Sequence, residues 1–292
     1  LVLGTAWGYS VEQMRPFVES MRSHYDGAAA VIVEGSDAAL ADYLTRRGVD
    51  TVRPEQDLGI PAPFGRALHI DRYAYYVAYL ARRSPMPSSV LLTDVRDVII
   101  QGNPFAEAGA NGLDFFLEQD ALIGDQATRQ WFIDAFGPAV AAAIGDRPGI
   151  CGGTIIGSGA AIQQLCRLVL FLAAIPRRGV ARSFGIDQAA VNVAAYFGLV
   201  EAEIHPNFGH VATLGLVDPD IPSLDQAGFI LGPAGNRSPV VHQYDYHPAL
   251  VEAVRQKYGG VATPNGRDSG SLVANTVSRV KAGLRRRVPE LR

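Results

Sequence analysis

Ten residues, Leu91-Leu92-Thr93-Asp94-Val95-Arg96-Asp97-Val98-Ile99-Ile100, restrict the folds open to this chain more than any other stretch. The run begins and ends in branched apolar residues, as a strand buried on both faces does. Between the apolar ends stand two aspartates, with an arginine beside the second. Burying an unpaired carboxylate costs on the order of several kcal/mol, so the pair requires a partner. A divalent cation is one such partner, because Mg²⁺ and Mn²⁺ take hard oxygen ligands and leave positions open for phosphates. The alternative is that the aspartates cap a turn or pair with Arg96.

Upstream, strands and helices alternate. Leu1 to Ala6 reads as a strand, and Val11 to Tyr25 has helical spacing behind Ser10 as N-cap. Ala28 to Glu34 is strand-like, Asp37 to Arg47 helical, and Val49 to Arg53 a short strand. This pattern predicts a mostly parallel central sheet flanked by helices, an α/β domain. The turn at Thr5 to Tyr9 then lies at the carboxyl end of the first strand, where open α/β sheets bind ligands. Gln56 to Phe64 is expected to be a loop. Leu68 to Arg83 is expected to be a helix whose tyrosines pack and whose Arg72 could meet phosphates or pair with a carboxylate.

Leu113 to Leu117 is another expected strand. Glu118 and Asp120 beyond it are either a candidate base or a solvated turn. Trp131 to Ile144 reads as one amphipathic helix. Ile150-Cys151-Gly152-Gly153-Thr154 is distinctive, since paired glycines weaken a strand unless something must approach its backbone. Asp187 and Gln188 open an apolar helix; Asp187 could be its N-cap, and Gln188 shares a face with Asn192. Glu201 to Pro239 is rich in Pro and Gly and is expected to be irregular. His242 follows an apolar run, as a strand-end ligand would, with Asp245 and His247 as reserve ligands.

The 292 residues suit one large domain, or one domain with extensions. With a net charge of −3, the chain offers no general basis for binding nucleic acid. Cys151 and Cys166 form no CxxC pattern and read as core thiols. No apolar run reaches the roughly 18 residues of a membrane span, and no signal peptide is visible, so a cytoplasmic location is expected. Leu1 already lies in a strand-like run, as expected of a chain that starts within a longer protein. Residues 1–258 are expected to form the main domain and 259–270 a linker. Residues 271–292 are expected to form a basic helical tail, carrying Arg279, Lys281 and Arg285 to Arg287. That tail could touch an anionic membrane surface peripherally, or be a solvated terminal helix.

Taken in order, these stretches make residues 1–258 resemble the GT-A-fold glycosyltransferases, and the pattern also resembles the retaining glycogenin-like and bacterial lipooligosaccharide galactosyltransferase group. The carrying motifs are Thr93-Asp94-Val95-Arg96-Asp97, Cys151-Gly152-Gly153-Thr154, Asp187-Gln188 with Asn192, and His242. The chain departs from the group in spacing its acids as Asp-x-x-Asp, in lacking an asparagine before the paired glycines, and in following His242 with Gln243-Tyr244-Asp245. The resemblance implies Mn²⁺ or Mg²⁺ on Asp94, Asp97 and His242, holding the diphosphate of a nucleotide-sugar donor. It also implies that Thr5, Ala6 and Tyr9 line the base and ribose pocket, and that Arg72 assists at the diphosphate. Gly152 and Gly153 would admit the donor sugar, and Asp187 and Gln188 would flank the anomeric carbon. Glu118 or Asp120 would serve as base only in an inverting enzyme. The acceptor would be a glycan, a lipid-linked sugar or a protein. Three other readings use similar residues: a haloacid-dehalogenase-type phosphotransferase, a sugar-phosphate nucleotidyltransferase, and a non-catalytic nucleotide-sugar-binding domain.

Overall fold

A computed structural model describes residues 1–34, 38–61, 68–106, 112–119, 126–174 and 185–260. In chain order, β1 (Val2–Trp7), α1 (Val11–His24), β2 (Ala29–Glu34), α2 (Ala38–Arg46) and β3 (Asp50–Val52) form the first half. The short α3 (Pro54–Leu58) and the long α4 (Leu68–Ala81) lead into β4 (Val90–Thr93) and β5 (Val98–Ile100). Next come β6 (Leu113–Gln119), α5 (Gln126–Phe136), α6 (Pro138–Ile144), β7 (Gly149–Gly157), α7 (Gly159–Ala174) and α8 (Ile186–Tyr196). The last part holds β8 (Ala202–His205), β9 (Val211–Thr213), β10 (Ser223–Leu224), β11 (Ile230–Leu231), β12 (Val240–His242) and α9 (Pro248–Tyr258).

The expected α/β sheet is present. Seven strands run in the order β3-β2-β1-β4-β7-β6-β8, and only β7 runs against the rest. Alternation along the strands divides the core into two layers. Leu3, Ile32, Val90 and Leu92 face the side covered by α4, α7 and α8, whereas Val2, Val31, Val33 and Leu91 face α1 and α2. With both faces covered, the strands read as continuous apolar runs, which is why they were legible. A capping box starts α1: Ser10 Oγ accepts from the Gln13 amide, and Gln13 accepts from the Ser10 amide. Tyr73, Tyr75, Tyr76 and Tyr79 of α4 are buried packing residues.

Four local expectations are corrected. Leu91–Ile100 is not one strand. β4 ends at Thr93 in the seven-stranded sheet, and β5 belongs to a separate small sheet of order β5-β12-β9. The aspartates occupy the bend between the two, because a polar pair cannot continue the buried run. Pro54 at the first helical position and Gly59 as a left-handed cap make a helix, α3, at the start of the expected loop. The Trp131–Ile144 helix is broken at Gly137, whose φ of 86° turns the chain ahead of Pro138. Glu201–Pro239 holds four short strands, of which β8 extends the main sheet and β9 the small one.

The described residues fall within the compact unit Leu1–Ala262. Asp120, the linker beyond residue 260 and the basic tail lie outside the described residues. Among the described residues, no helix is long and apolar enough to cross a membrane.

Candidate metal centre

The strand order reverses between β1 and β4, and the crevice at such a reversal is where open α/β sheets place ligands. Thr93 pairs with Gly4, so Asp94 leaves the sheet beside the end of β1. The reversed β7 begins at the same edge: Thr154 pairs with Thr93, and residues 149–153 extend past it. β6 ends there as well, with Leu117 opposite Ile150. This edge therefore gathers Asp94, Glu118 and the Cys151-Gly152-Gly153 run.

The small sheet delivers the histidine. His242 pairs with Val98 across β12 and β5, next to Asp97. The Gln243 amide then donates to the Asp97 carbonyl at 2.7 Å. Gln243 adopts a left-handed conformation, φ 60°, at a cost of about 1 kcal/mol for a residue with a side chain. From the other side, the Asp94 amide donates to the Gly153 carbonyl at 2.8 Å.

The result is a grouping of Asp94, Asp97 and His242 with ligand atoms within 4.8 Å of one another. His242 Nε2 lies 3.5 Å from Asp94 Oδ2 and 3.9 Å from Asp97 Oδ1. Nε2 is buried and makes no hydrogen bond. The other oxygen of each aspartate is taken by its own arginine. Arg72 bridges Asp94 Oδ1 to Asp187, and Arg96 bridges Asp97 Oδ2 at 3.2 Å to Asp245 at 2.7 Å. The arginines thus turn one oxygen of each acid toward the imidazole. Donors about 2.1 Å from a small cation lie about 3 to 4.2 Å apart, a range that includes both Nε2-to-carboxylate separations. Two carboxylates and an imidazole, with one buried ring nitrogen left without a hydrogen bond, fit a divalent cation.

Charge points the same way. Asp94, Asp97, Asp187, Asp245 and Glu118 gather here against Arg72, Arg96 and His242, so the cluster stays anionic even with His242 protonated. Burial opposes ionisation of Asp94, but Arg72 and His242 outweigh it and hold the carboxyl well below the usual carboxylate range. Burial pushes Asp97 up, helped by the charges of Asp94 and Asp245. Burial pulls His242 down, yet Cys151, Asp94 and Asp97 prevail and raise it well above an ordinary histidine.

The remaining expected site residues are distributed as follows. Tyr9 stands near both aspartates and hydrogen-bonds Arg96; burial first, then Asp94, raises its phenol. Thr5 donates its hydroxyl to Tyr76 at 2.9 Å. Ala6 is fully buried among Met14 and Phe17, so its side chain belongs to the core and can line no pocket. Asp187 lies in the first turn of α8, but Gly185 is the N-cap. Gln188 donates to Glu118.

The two glycines have structural partners instead of an open approach. A Cβ on Gly153 would lie 2.4 Å from His242 Cε1 and 2.7 Å from Asp94 Oδ2, and one on Gly152 would lie 3.3 Å from Gln188 Cα. Gly153 makes room for the metal ligands and Gly152 for α8. Asn192 is buried and fully engaged with backbone groups. It caps the edge of β7, donating to the Ile150 carbonyl and accepting from its amide. The reserve ligands are occupied elsewhere: Asp245 by Arg96, and His247 Nε2 by the Leu214 carbonyl at 2.9 Å.

The sequence reading took Cys151 only for a core thiol. It is a buried thiol, as expected, but its Sγ lies 3.3 Å from His242 Nδ1. The two residues are 91 positions apart, and only its place beside the paired glycines hinted at a role. A second grouping, Asp114, Glu203 and His205, sits on β6 and the edge strand β8. There His205 bonds Asp114 at 2.8 Å and Glu203 is 82% exposed, as in an ordinary surface ion cluster. Compared with known proteins, the chain matches no family model, and no curated protein is significantly similar to it.

Proposed function

We propose that this protein is a metal-dependent glycosyltransferase that moves a sugar from a nucleoside diphosphate donor to an acceptor hydroxyl with retention of anomeric configuration. The reading rests on the site and on the motif resemblance to GT-A-fold enzymes. One observation carries it: Asp94, Asp97 and His242 converge at the strand-order reversal, with Nε2 buried, without a hydrogen bond and facing both carboxylates. The two carboxylates suit Mg²⁺ or Mn²⁺, and the imidazole favours Mn²⁺ of the two. Bound there, a divalent cation offsets the negative charge that a departing diphosphate gains.

The protein's own groups prepare the site. Arg72 and Arg96 orient the ligand carboxylates, so neither acid must reorganise to present an oxygen. Thr5, in the second half of β1, and Tyr9, just beyond it and near both aspartates, suit the nucleoside. Asp187 and Gln188 stand at the start of α8, across Arg72 from Asp94, and suit the donor sugar. Glu118 supports retention over inversion, since it is buried and accepts a hydrogen bond from Gln188, a poor setting for a base that must reach an acceptor. The acceptor class is a glycan, lipid-linked sugar or protein hydroxyl.

The test is nucleotide release and sugar transfer from a panel of nucleotide sugars, with and without Mn²⁺, in wild type, Asp97→Ala and His242→Ala. Activity should require the cation and fall at least about a hundredfold in both variants. Unchanged turnover in either variant would remove the metal role. Consumption of nucleoside triphosphate with sugar phosphate would favour a nucleotidyltransferase.

A further inference from the structure

We propose that Cys151 is a positioning residue for His242: its thiol fixes the orientation and tautomer of the imidazole so that Nε2 offers its lone pair to a divalent cation. The proposal rests on the metal-site reading above and assigns a task to a residue that reading does not use.

The geometry comes from one face of β7. Cys151 and Gly153 are two apart on a strand, so they face the same way, toward His242, whereas Gly152 faces α8. Gly153 provides space, because the imidazole and the Asp94 carboxylate lie where a side chain would be. Cys151 provides the polar tether, with Sγ at 3.3 Å from Nδ1. The pairing is sheltered: Cys151 and His242 are each about 1% exposed. The sulfur is itself held, accepting from the Gly153 amide at 3.4 Å.

Sulfur can accept a hydrogen bond. In the neutral imidazole, Nδ1–H donating to Sγ leaves Nε2 without a proton and able to ligate, with its lone pair toward Asp94 and Asp97. The partner of a metal-bound histidine's second nitrogen commonly changes metal affinity 10–100-fold when removed, about the effect expected here.

Two measurements test this on the whole chain: Mn²⁺ affinity by titration calorimetry, and imidazole ¹⁵N shifts of the metal-free protein, for wild type, Cys151→Ser and Cys151→Ala. Melting curves confirm that each variant is folded. Cys151→Ala should lose roughly 10–100-fold in Mn²⁺ affinity and shift the His242 Nδ1 resonance. Cys151→Ser, which keeps a donor and acceptor, should recover most of both. Wild-type affinity in Cys151→Ala together with unchanged ¹⁵N shifts overturns the proposal. If wild type and His242→Ala alike fail to bind Mn²⁺, the metal reading fails. The ¹⁵N shifts then decide alone whether Cys151 governs the His242 tautomer, and an unmoved Nδ1 resonance in Cys151→Ala refutes it.

Discussion

Gly153→Ala isolates the metal centre with one methyl group. The added Cβ would lie 2.4 Å from His242 Cε1, 2.7 Å from Asp94 Oδ2 and 2.9 Å from His242 Nε2. Ordinary carbon contacts start near about 3.5 Å, so the imidazole or the strand must move by about 1 Å. His242 cannot swing freely, because β12 is paired on both sides and Cys151 holds Nδ1. Overpacking of this kind costs about 1 to 3 kcal/mol in stability. A displacement near 1 Å in a preorganised site costs about a hundredfold in function. The neighbouring glycine is the control, since a Cβ on Gly152 would approach nothing closer than 3.3 Å, on Gln188. Mn²⁺ titration calorimetry and thermal melting of both variants provide the assay. The expected result is about a hundredfold weaker Mn²⁺ binding in Gly153→Ala, with Gly152→Ala within about threefold of wild type. Equal affinities in the two variants, or a greater loss in Gly152→Ala, would refute the assignment of Gly153 to the ligand cradle.

Three further outcomes follow from the same contacts. Asn192→Ala leaves the buried Ile150 amide and carbonyl without their side-chain partner and should cost roughly 2 to 4 kcal/mol in denaturant unfolding while leaving Mn²⁺ affinity intact. Arg72→Met removes the arginine from Asp187 and leaves Asp94 with His242 alone, so the metal-free protein should lose about 3 to 5 kcal/mol. Mn²⁺ should then raise its melting temperature more than that of wild type, and a smaller rise would contradict the charge argument. For pH, His242 titrates above its unfolded value, so its contribution to metal-free stability is full below about pH 6.5 and fades as pH rises through the raised folded value. Mn²⁺ must displace that proton, so the melting-temperature gain on adding Mn²⁺ should grow from pH 6 toward pH 8.5. A gain that is flat or falling over that range would contradict the placement of the proton.

Hydropathy along the chain made a mostly parallel sheet between helices legible, because strands covered on both faces must be apolar throughout and helices between them must be amphipathic. It also marked Asp94 and Asp97 as out of place in such a run, and His242 as a polar ending to another. It could not show that the chain changes sheets between Thr93 and Val98, since hydropathy reads burial but not which sheet a strand joins. The partners of Arg72 and Arg96 were equally invisible: Asp187 and Asp245 lie 115 and 149 residues away, and any of the chain's acids would have read the same. The glycines were noticed for their unusual pairing, yet their reason differs between neighbours, because strand alternation sends Gly153 to the ligands and Gly152 to α8. Only the tertiary structure turned Cys151 from an apolar filler into the hydrogen-bond partner of His242. A contact between side chains on two different sheets depends on where those sheets meet, and no local spacing in the chain records that distance.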